Sequence, residues 1–353
     1  MCIRDRIQRL QPSDRHDIRE MISFRGLVSG ALASMTAVFW WISVDKGGSS
    51  EPWSPITIAI MRLGHIIKHA SDGMPNMPDW RPKLRSRADG NPRIMGILNI
   101  TPDSFYDQSR HETVESATGK AIAMAENGAD WIDIGGESTR PGSRAVPPRE
   151  EEARVVPVIR SIRDELPDIG ISIDTRRSTV ASASLDAGAN MINDVSSLGD
   201  SGMAEVIVEY GCPVCLMHMK GIPENMQKNP QYYDVVSEVR KSLANSTSKL
   251  NLLGVDNSRI IVDPGIGFGK LLQHNLSLLS SGRDVLPEED MGLMWGVSRK
   301  SMFADLLGRD STEDRLAGSL GVASKARSYG VDIIRVHDVA EHEDLFSTIN
   351  SLR

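Results

Sequence analysis

From position 94 onward, apolar residues gather into short, nearly continuous runs, each followed by a longer segment with helical spacing. The runs are 94–100 (IMGILNI), 131–135 (WIDIG), 170–174 (GISID), 191–194 (MIND), 213–217 (PVCLM), 259–263 (RIIVD), 293–297 (LMWGV) and 332–336 (DIIRV). Runs of this length without polar alternation suit strands buried on both faces, the pattern of a parallel sheet. The intervening segments, such as 114–129 (VESATGKAIAMAENGA), 151–166 (EEARVVPVIRSIRDEL) and 314–330 (DRLAGSLGVASKARSYG), place apolar residues three and four apart, as a helix covering that sheet requires. Eight such repeats predict an α/β fold, an eight-stranded parallel (β/α)8 TIM barrel over 93–353. An open doubly wound sheet usually stops at fewer strands, and no G-x-G-x-x-G follows the first run.

Residues 1–92 do not share the pattern and read as an N-terminal extension and linker. Positions 1–25 are charge-dense and patternless, and 26–44 form an uncharged run of 19 residues. That length could just cross a bilayer core of about 30 Å. Two Gly, three Ser and one Thr within it weigh against insertion. An extra amphipathic element, or a spurious upstream reading frame beginning MCIRDR, accounts for the segment as well, so membrane association is not expected. Positions 46–92 are rich in Gly, Ser, Pro and Met around one helical stretch. His65 and His69 share a face of that stretch, but Ile66 occupies the place of the zincin glutamate and no third ligand is near in sequence.

Composition narrows the function. The chain has 353 residues, 40 Lys+Arg against 47 Asp+Glu and a formal charge of −7, which argues against a nucleic-acid binder held by phosphate neutralisation. Three cysteines cannot make a disulfide framework, so a cytoplasmic location is expected. Cys212 and Cys215 match C-x-x-C but run into Leu216 and Met217, and they read as core or strand-edge thiols rather than a redox pair or half a zinc site.

In a β/α barrel the chemistry occupies the loops at the C-terminal ends of the strands. Asp174, Asn193 and Asp263 end apolar strands there. Buried carboxylates need donors, which a flat heterocycle with several N–H groups, such as a 2-amino-4-oxo-pteridine or a purine, supplies. Capping of the following helix explains any one of them; it explains three around one mouth less well. Lys300, Arg335 and His337 follow the last two strands, where barrels commonly bind phosphate, and Arg140 adds charge from the second loop. The 265–270 segment (GIGFGK) is not a P-loop, since Leu271 stands where a hydroxyl residue is required. Together these residues point to a donor-rich ring carrying an anionic tail.

Eight segments, MGILNITPDSFYD, GGESTRPGS, SIDT, INDVSS, LMHMKG, DPGIGFGK, GVSRKS and RVHD, occur in an order that resembles the dihydropteroate synthase family. The resemblance covers 93–353. It implies an enzyme, a transferase of folate biosynthesis, that condenses 6-hydroxymethyl-7,8-dihydropterin diphosphate with 4-aminobenzoate to 7,8-dihydropteroate and diphosphate, a step blocked by sulfonamides. It further implies that Asp174, Asn193, Asp263 and Lys300 hold the pterin with Met217 against it, and that Asn99 binds Mg²⁺ with the diphosphate. Thr139, Arg140, Arg335 and His337 would grip that diphosphate. Phe105, Pro141, Phe268 and Ser301 would frame the aminobenzoate, and Asp107 and Arg140 would sit on closing loops. Asp107, Arg140, Lys300, Arg335 and His337 are the catalytic candidates, and a homodimer is expected. One departure stands out. The family usually continues its first loop S-D-G-G, and this chain has Tyr106-Asp107-Gln108-Ser109, without the two glycines. The rival readings are a barrel that passes a methyl group from methyltetrahydrofolate to a corrinoid protein, and a non-catalytic pterin-binding homologue.

Overall fold

Eight strands of four to seven residues pair in sequence order and close on themselves. They are β1 Arg93–Asn99, β2 Trp131–Gly135, β3 Gly170–Asp174, β4 Met191–Asp194, β5 Val214–Met217, β6 Ile260–Asp263, β7 Gly292–Trp295 and β8 Ile333–Val336. Every neighbouring pair is parallel, including β1 with β8, where Met95 lies opposite Arg335. This is the TIM barrel expected from the sequence. The computed structural model describes residues 79–100, 110–138, 145–221 and 225–352. The chain divides between Asn76 and Met77 into two units, and the first, with the 26–44 run and the His65/His69 pair, lies outside the described residues.

Alternation along each strand sends side chains alternately into the barrel and out toward the helices. Met95, Trp131, Met191, Cys215, Ile261, Met294 and Ile333 fill the interior, while the partner positions Ile94, Ile132, Ile171, Ile192 and Val214 join the layer beneath the helices. Trp131 is large enough to need glycine beside it, since a Cβ on Gly170 would fall 2.5 Å from its ring. The covering helices form for local reasons. Helix α1 spans Arg110–Glu126; α2, Pro148–Glu165, begins with proline, carries Glu150 and Glu151 in its first turn and buries Val155, Val158, Ile159 and Ile162 at helical spacing. Helices α3 Ser178–Asp186 and α4 Met203–Tyr210 follow, α4 ending on left-handed Gly211. Asp234 caps α5, Val235–Leu252, by accepting from the amides of Val236 and Ser237. Beyond it come α6 Leu272–Ser281, α7 Met302–Leu307, α8 Leu316–Ala323 and α9 Val339–Ser351.

Residues 79–92, which composition groups with the linker, close the bottom of the barrel. A 3-10 turn at Arg81–Leu84 carries Trp80 and Leu84 into the interior cluster, with the Trp80 and Trp131 rings 5.3 Å apart and Trp131 Nε1 donating to the Lys83 carbonyl. Asp130 ties the segment down by accepting from Arg87 and Arg93. Leu84 is fully buried. Leu84→Ala should therefore cost about 2–5 kcal/mol, the range for a core leucine truncation. Denaturant unfolding reads this as a lower midpoint, and an unchanged midpoint would separate the floor from barrel stability.

Both described cysteines are buried free thiols, Cys212 pushed up to about 12 by burial and Cys215 raised well above its ordinary value, which fits packing and not redox or metal chemistry. Among the described residues no helix is long and apolar enough to cross a membrane.

Candidate functional site

The inward positions of the strands change character from the bottom of the barrel to the top. Below they are apolar; higher up they become Asp133, midway along β2, and at the C-terminal ends Asn99, Asp174, Asn193, Met217 and Asp263, all but Asn99 buried. Neighbouring strands hold them in register, with Asn99 opposite Gly135, Gly135 opposite Asp174, Asp174 opposite Asn193 and Met217 opposite Asp263. A side chain on Gly135 would occupy the space between Asn99 Oδ1 and Asp174, at 3.5 and 3.6 Å from the two.

Arg335 enters this polar layer from β8. Its Nε donates to Asp133 Oδ2 at 2.5 Å and its Nη2 to Asp174 Oδ2 at 2.7 Å, and Asn193 Nδ2 donates to the same Asp133 oxygen at 3.2 Å. The sequence places Arg335 among the rim cations; the structure puts its guanidinium inside the barrel, 19% exposed, between two carboxylates. Burial alone would disfavour its charge, but Asp133 and Asp174 outweigh that and raise its pKa. Asp174 and Asp263 both titrate above their ordinary value because burial penalises the carboxylate, an effect that Arg335 and Lys300 oppose at each of them. Asp174 and Asp263 end β3 and β6, Arg335 lies near the end of β8 and Lys300 follows β7, so these acids and bases share the C-terminal end of the barrel. Asp263 Oδ1 also accepts from the Gly265 amide at 2.7 Å.

The loops after β5 to β8 interlock. Lys300 Nζ lies 4.0 Å from the centre of the Phe268 ring, bringing the seventh loop over the sixth. Ser298 Oγ bonds to His337 Nδ1 at 3.0 Å and accepts from the His337 amide, which holds the imidazole at the end of β8. Arg299 adopts φ 55° between Ser298 and Lys300, fixed by its ion pair to Asp338. Ser301 is the N-cap of α7 and makes no side-chain capping bond. Lys270 is buried with Nζ within 3.3 Å of three carbonyls, those of His218, Gly265 and Phe268, and 3.0 Å from His218 Nδ1. Burial pulls Lys270 down to about 7 and His218 to about 3, so a neutral imidazole accepts from the lysine, and four acceptors around one Nζ suit its ammonium form.

Asn99, Asp174, Asn193, Met217, Asp263, Phe268, Lys300, Ser301, Arg335 and His337 thus all lie at the C-terminal ends of the strands or in the loops that follow them. Phe105, Asp107, Thr139, Arg140 and Pro141 lie outside the described residues. Sequence reasoning passed over Asp133, although it shares the two-residue inward alternation of Trp131 and Gly135. It also gave no role to Ser298, Lys270 or Glu137. Glu137 pairs with Arg176 and Arg177 and accepts from the Val146 amide.

A family model described as "Pterin binding enzyme" matches residues 95–337. The dihydropteroate synthase of Escherichia coli (strain K12) is 44% identical over 251 residues, covering 71% of this chain and 88% of that protein. The Xanthomonas albilineans dihydropteroate synthase, solved with 4-aminobenzoic acid, superposes with a TM-score of 0.69 at 41% identity, covering 74% of this chain and 93% of that one. The Yersinia pestis dihydropteroate synthase, solved as a sulfonamide drug complex, gives a TM-score of 0.70 at 40% identity and covers 76% and 96%.

Proposed function

The chain belongs to the pterin-binding enzyme family, and from that premise we infer that it is a dihydropteroate synthase, joining 6-hydroxymethyl-7,8-dihydropterin diphosphate to 4-aminobenzoate in folate biosynthesis. The single observation that carries the reading is the polar layer itself, with buried Asp174, Asn193 and Asp263 beside Arg335 and Lys300. The carboxylates and the carboxamide accept from the ring N–H groups, and Met217 offers an apolar face. Lys300 also reaches the ring, Arg335 and His337 meet the diphosphate, and Phe268 and Ser301 stand where the aminobenzoate would arrive.

An aromatic amine is a weak nucleophile, so the main task is to ease departure of diphosphate from the pterin methylene. As that C–O bond stretches, its electron pair leaves with the diphosphate and positive charge spreads into the ring. Ionised Asp174 and Asp263 favour that charge, and Arg335, Lys300 and His337 favour the charge on the leaving group. The amine nitrogen then bonds to the methylene carbon and loses a proton. No covalent bond to the protein forms.

Mg²⁺ fits as a companion of the diphosphate. Among the described residues no three His, Cys, Asp or Glu side chains come together as a metal site, and the ligand available at the end of β1 is the neutral oxygen of Asn99. Mg²⁺ retains several waters and is commonly held by one or two protein oxygens plus phosphates, a demand that Asn99 can meet. When bound, the ion would neutralise charge on the departing diphosphate. A homodimer in the cytoplasm completes the proposal, its assembly readable by sedimentation velocity.

The pH dependence has a definite sign. Both ring-holding aspartates sit above the usual carboxylate value, so acidification protonates them sooner than exposed aspartates. The acid limb of kcat/KM for the pterin substrate should have a midpoint clearly above the ordinary aspartate value of about 3.9. A limb at that ordinary value contradicts the assignment. The activity itself is read as diphosphate release that requires both 4-aminobenzoate and Mg²⁺; methyl transfer from methyltetrahydrofolate in the absence of both would point to the corrinoid-linked reaction instead.

A further inference from the structure

Asp133 is wholly buried in the middle of β2, below the mouth, and nothing in the proposed chemistry assigns it a part. Its Oδ2 accepts from Arg335 Nε at 2.5 Å and from Asn193 Nδ2 at 3.2 Å, while its Oδ1 is buried without a hydrogen-bond partner. The other end of the Arg335 guanidinium rests on Asp174 Oδ2 at 2.7 Å. If the reading of function holds, Asp174 must accept from the pterin ring, and Arg335 would then share or lose one of its two carboxylates. A guanidinium inside a barrel that loses its compensation is costly. Asp133 differs from Asp174 in lying beneath the ligand space and out of contact with solvent, so an incoming ring leaves its bond to Arg335 intact.

We propose that Asp133 is a positioning residue, the fixed counter-ion that holds Arg335 in place, and Asn193 in orientation, while the pterin occupies Asp174. Without it the guanidinium keeps, among the described residues, only its ion pair to Asp174, and arginine and ring compete for one acceptor. The assignment rests on the pterin-binding reading above and adds to it a residue that does not touch substrate.

Asp133→Asn keeps the shape, leaves an oxygen for Arg335 and removes the charge. The test is a double-mutant cycle on the full chain, with 6-hydroxymethyl-7,8-dihydropterin, which lacks diphosphate, as the ligand measured by calorimetry. In the Arg335 background Asp133→Asn should weaken binding on the order of tenfold or more, the scale of a charge-assisted contact. In the Arg335→Met background the same change should cost no more than about threefold, because the two residues act as one unit. The KM for 4-aminobenzoate should stay unchanged throughout. Equal losses in both backgrounds, or a parallel rise in the 4-aminobenzoate KM, would make Asp133 a packing residue and overturn the proposal. Should Asp133→Asn alone be insoluble, the paired Asp133→Asn/Arg335→Met protein must fold, since a counter-ion is dispensable once its cation is gone; failure of the pair also overturns it. Wild-type protein that binds no pterin would sink the functional reading instead, an outcome distinct from any result of the cycle.

Discussion

Arg335→Ala should slow turnover on the order of 100-fold or more, as expected when a charge contact to a leaving group disappears. The same substitution leaves Asp133 and Asp174 buried side by side without the cation that links them. Removing one partner of a buried ion pair typically costs about 3–5 kcal/mol. Part of that cost is avoided by protonation of Asp174, which burial and the nearby Asp133 charge push up and which loses the opposing guanidinium. The variant should thus be slow, less stable, and relatively more stable toward acid than at neutral pH. Steady-state kinetics with both substrates and denaturant unfolding at two pH values check this. Wild-type turnover would remove Arg335 from the site, and wild-type stability would mean the ion pairs contribute nothing to the fold.

Gly265→Ala should be nearly as damaging, for a reason of backbone and not of charge. Gly265 has φ +69°, and a Cβ there would lie 1.8 Å from the His218 carbonyl oxygen. No side-chain rotation relieves a clash with backbone, so the sixth loop must lift off the fifth. A left-handed conformation for a residue with a Cβ adds roughly 1–2 kcal/mol. That loop carries Phe268, which stacks with Lys300, and Lys270, which bonds to His218 and to the Gly265 carbonyl. It also supplies the amide that bonds to Asp263. Displacement of such groups by even about 1 Å can cost on the order of 100-fold in rate. The measurement is kcat/KM for each substrate alongside a melting curve. Loss of activity in a protein of unchanged melting temperature would place the damage in the loop; unchanged activity would mean that the close approach to His218 is not required.

Much of this was legible in the residues. A strand buried on both faces has little choice of composition, so MIND and GISID announce both their conformation and the polar residue that ends them. Repetition eight times announces the closed sheet. Three kinds of feature were not legible. Trp80 and Leu84 plug the floor as isolated apolar residues, and a plug has no period to detect amid prolines and charges. The stretch 314–330 has helical spacing throughout, but α8 ends at Ala323 and a separate 3-10 turn covers Ala326–Tyr329. Ser324 Oγ bonds to the Gly321 carbonyl, a local alternative to the helical ladder, and Gly318 and Gly321 weaken the helix further. The partnership of Arg335 with Asp133 joins residues 202 apart in sequence and is created only when β8 meets β1 and closes the barrel. Position at a strand end identified Asp174, Asn193 and Asp263; it could not say which acid an arginine would choose.

The most direct test of the account is a crystal structure of this protein soaked with 6-hydroxymethyl-7,8-dihydropterin diphosphate and Mg²⁺. The ring should lie on Asp174, Asn193, Asp263 and Lys300, with Arg335 still joined to Asp133 and the diphosphate directed toward Arg335 and His337. A ring bound elsewhere, or bound with its diphosphate pointing away from those cations, would contradict the claim that acids and bases of this barrel mouth serve one molecule.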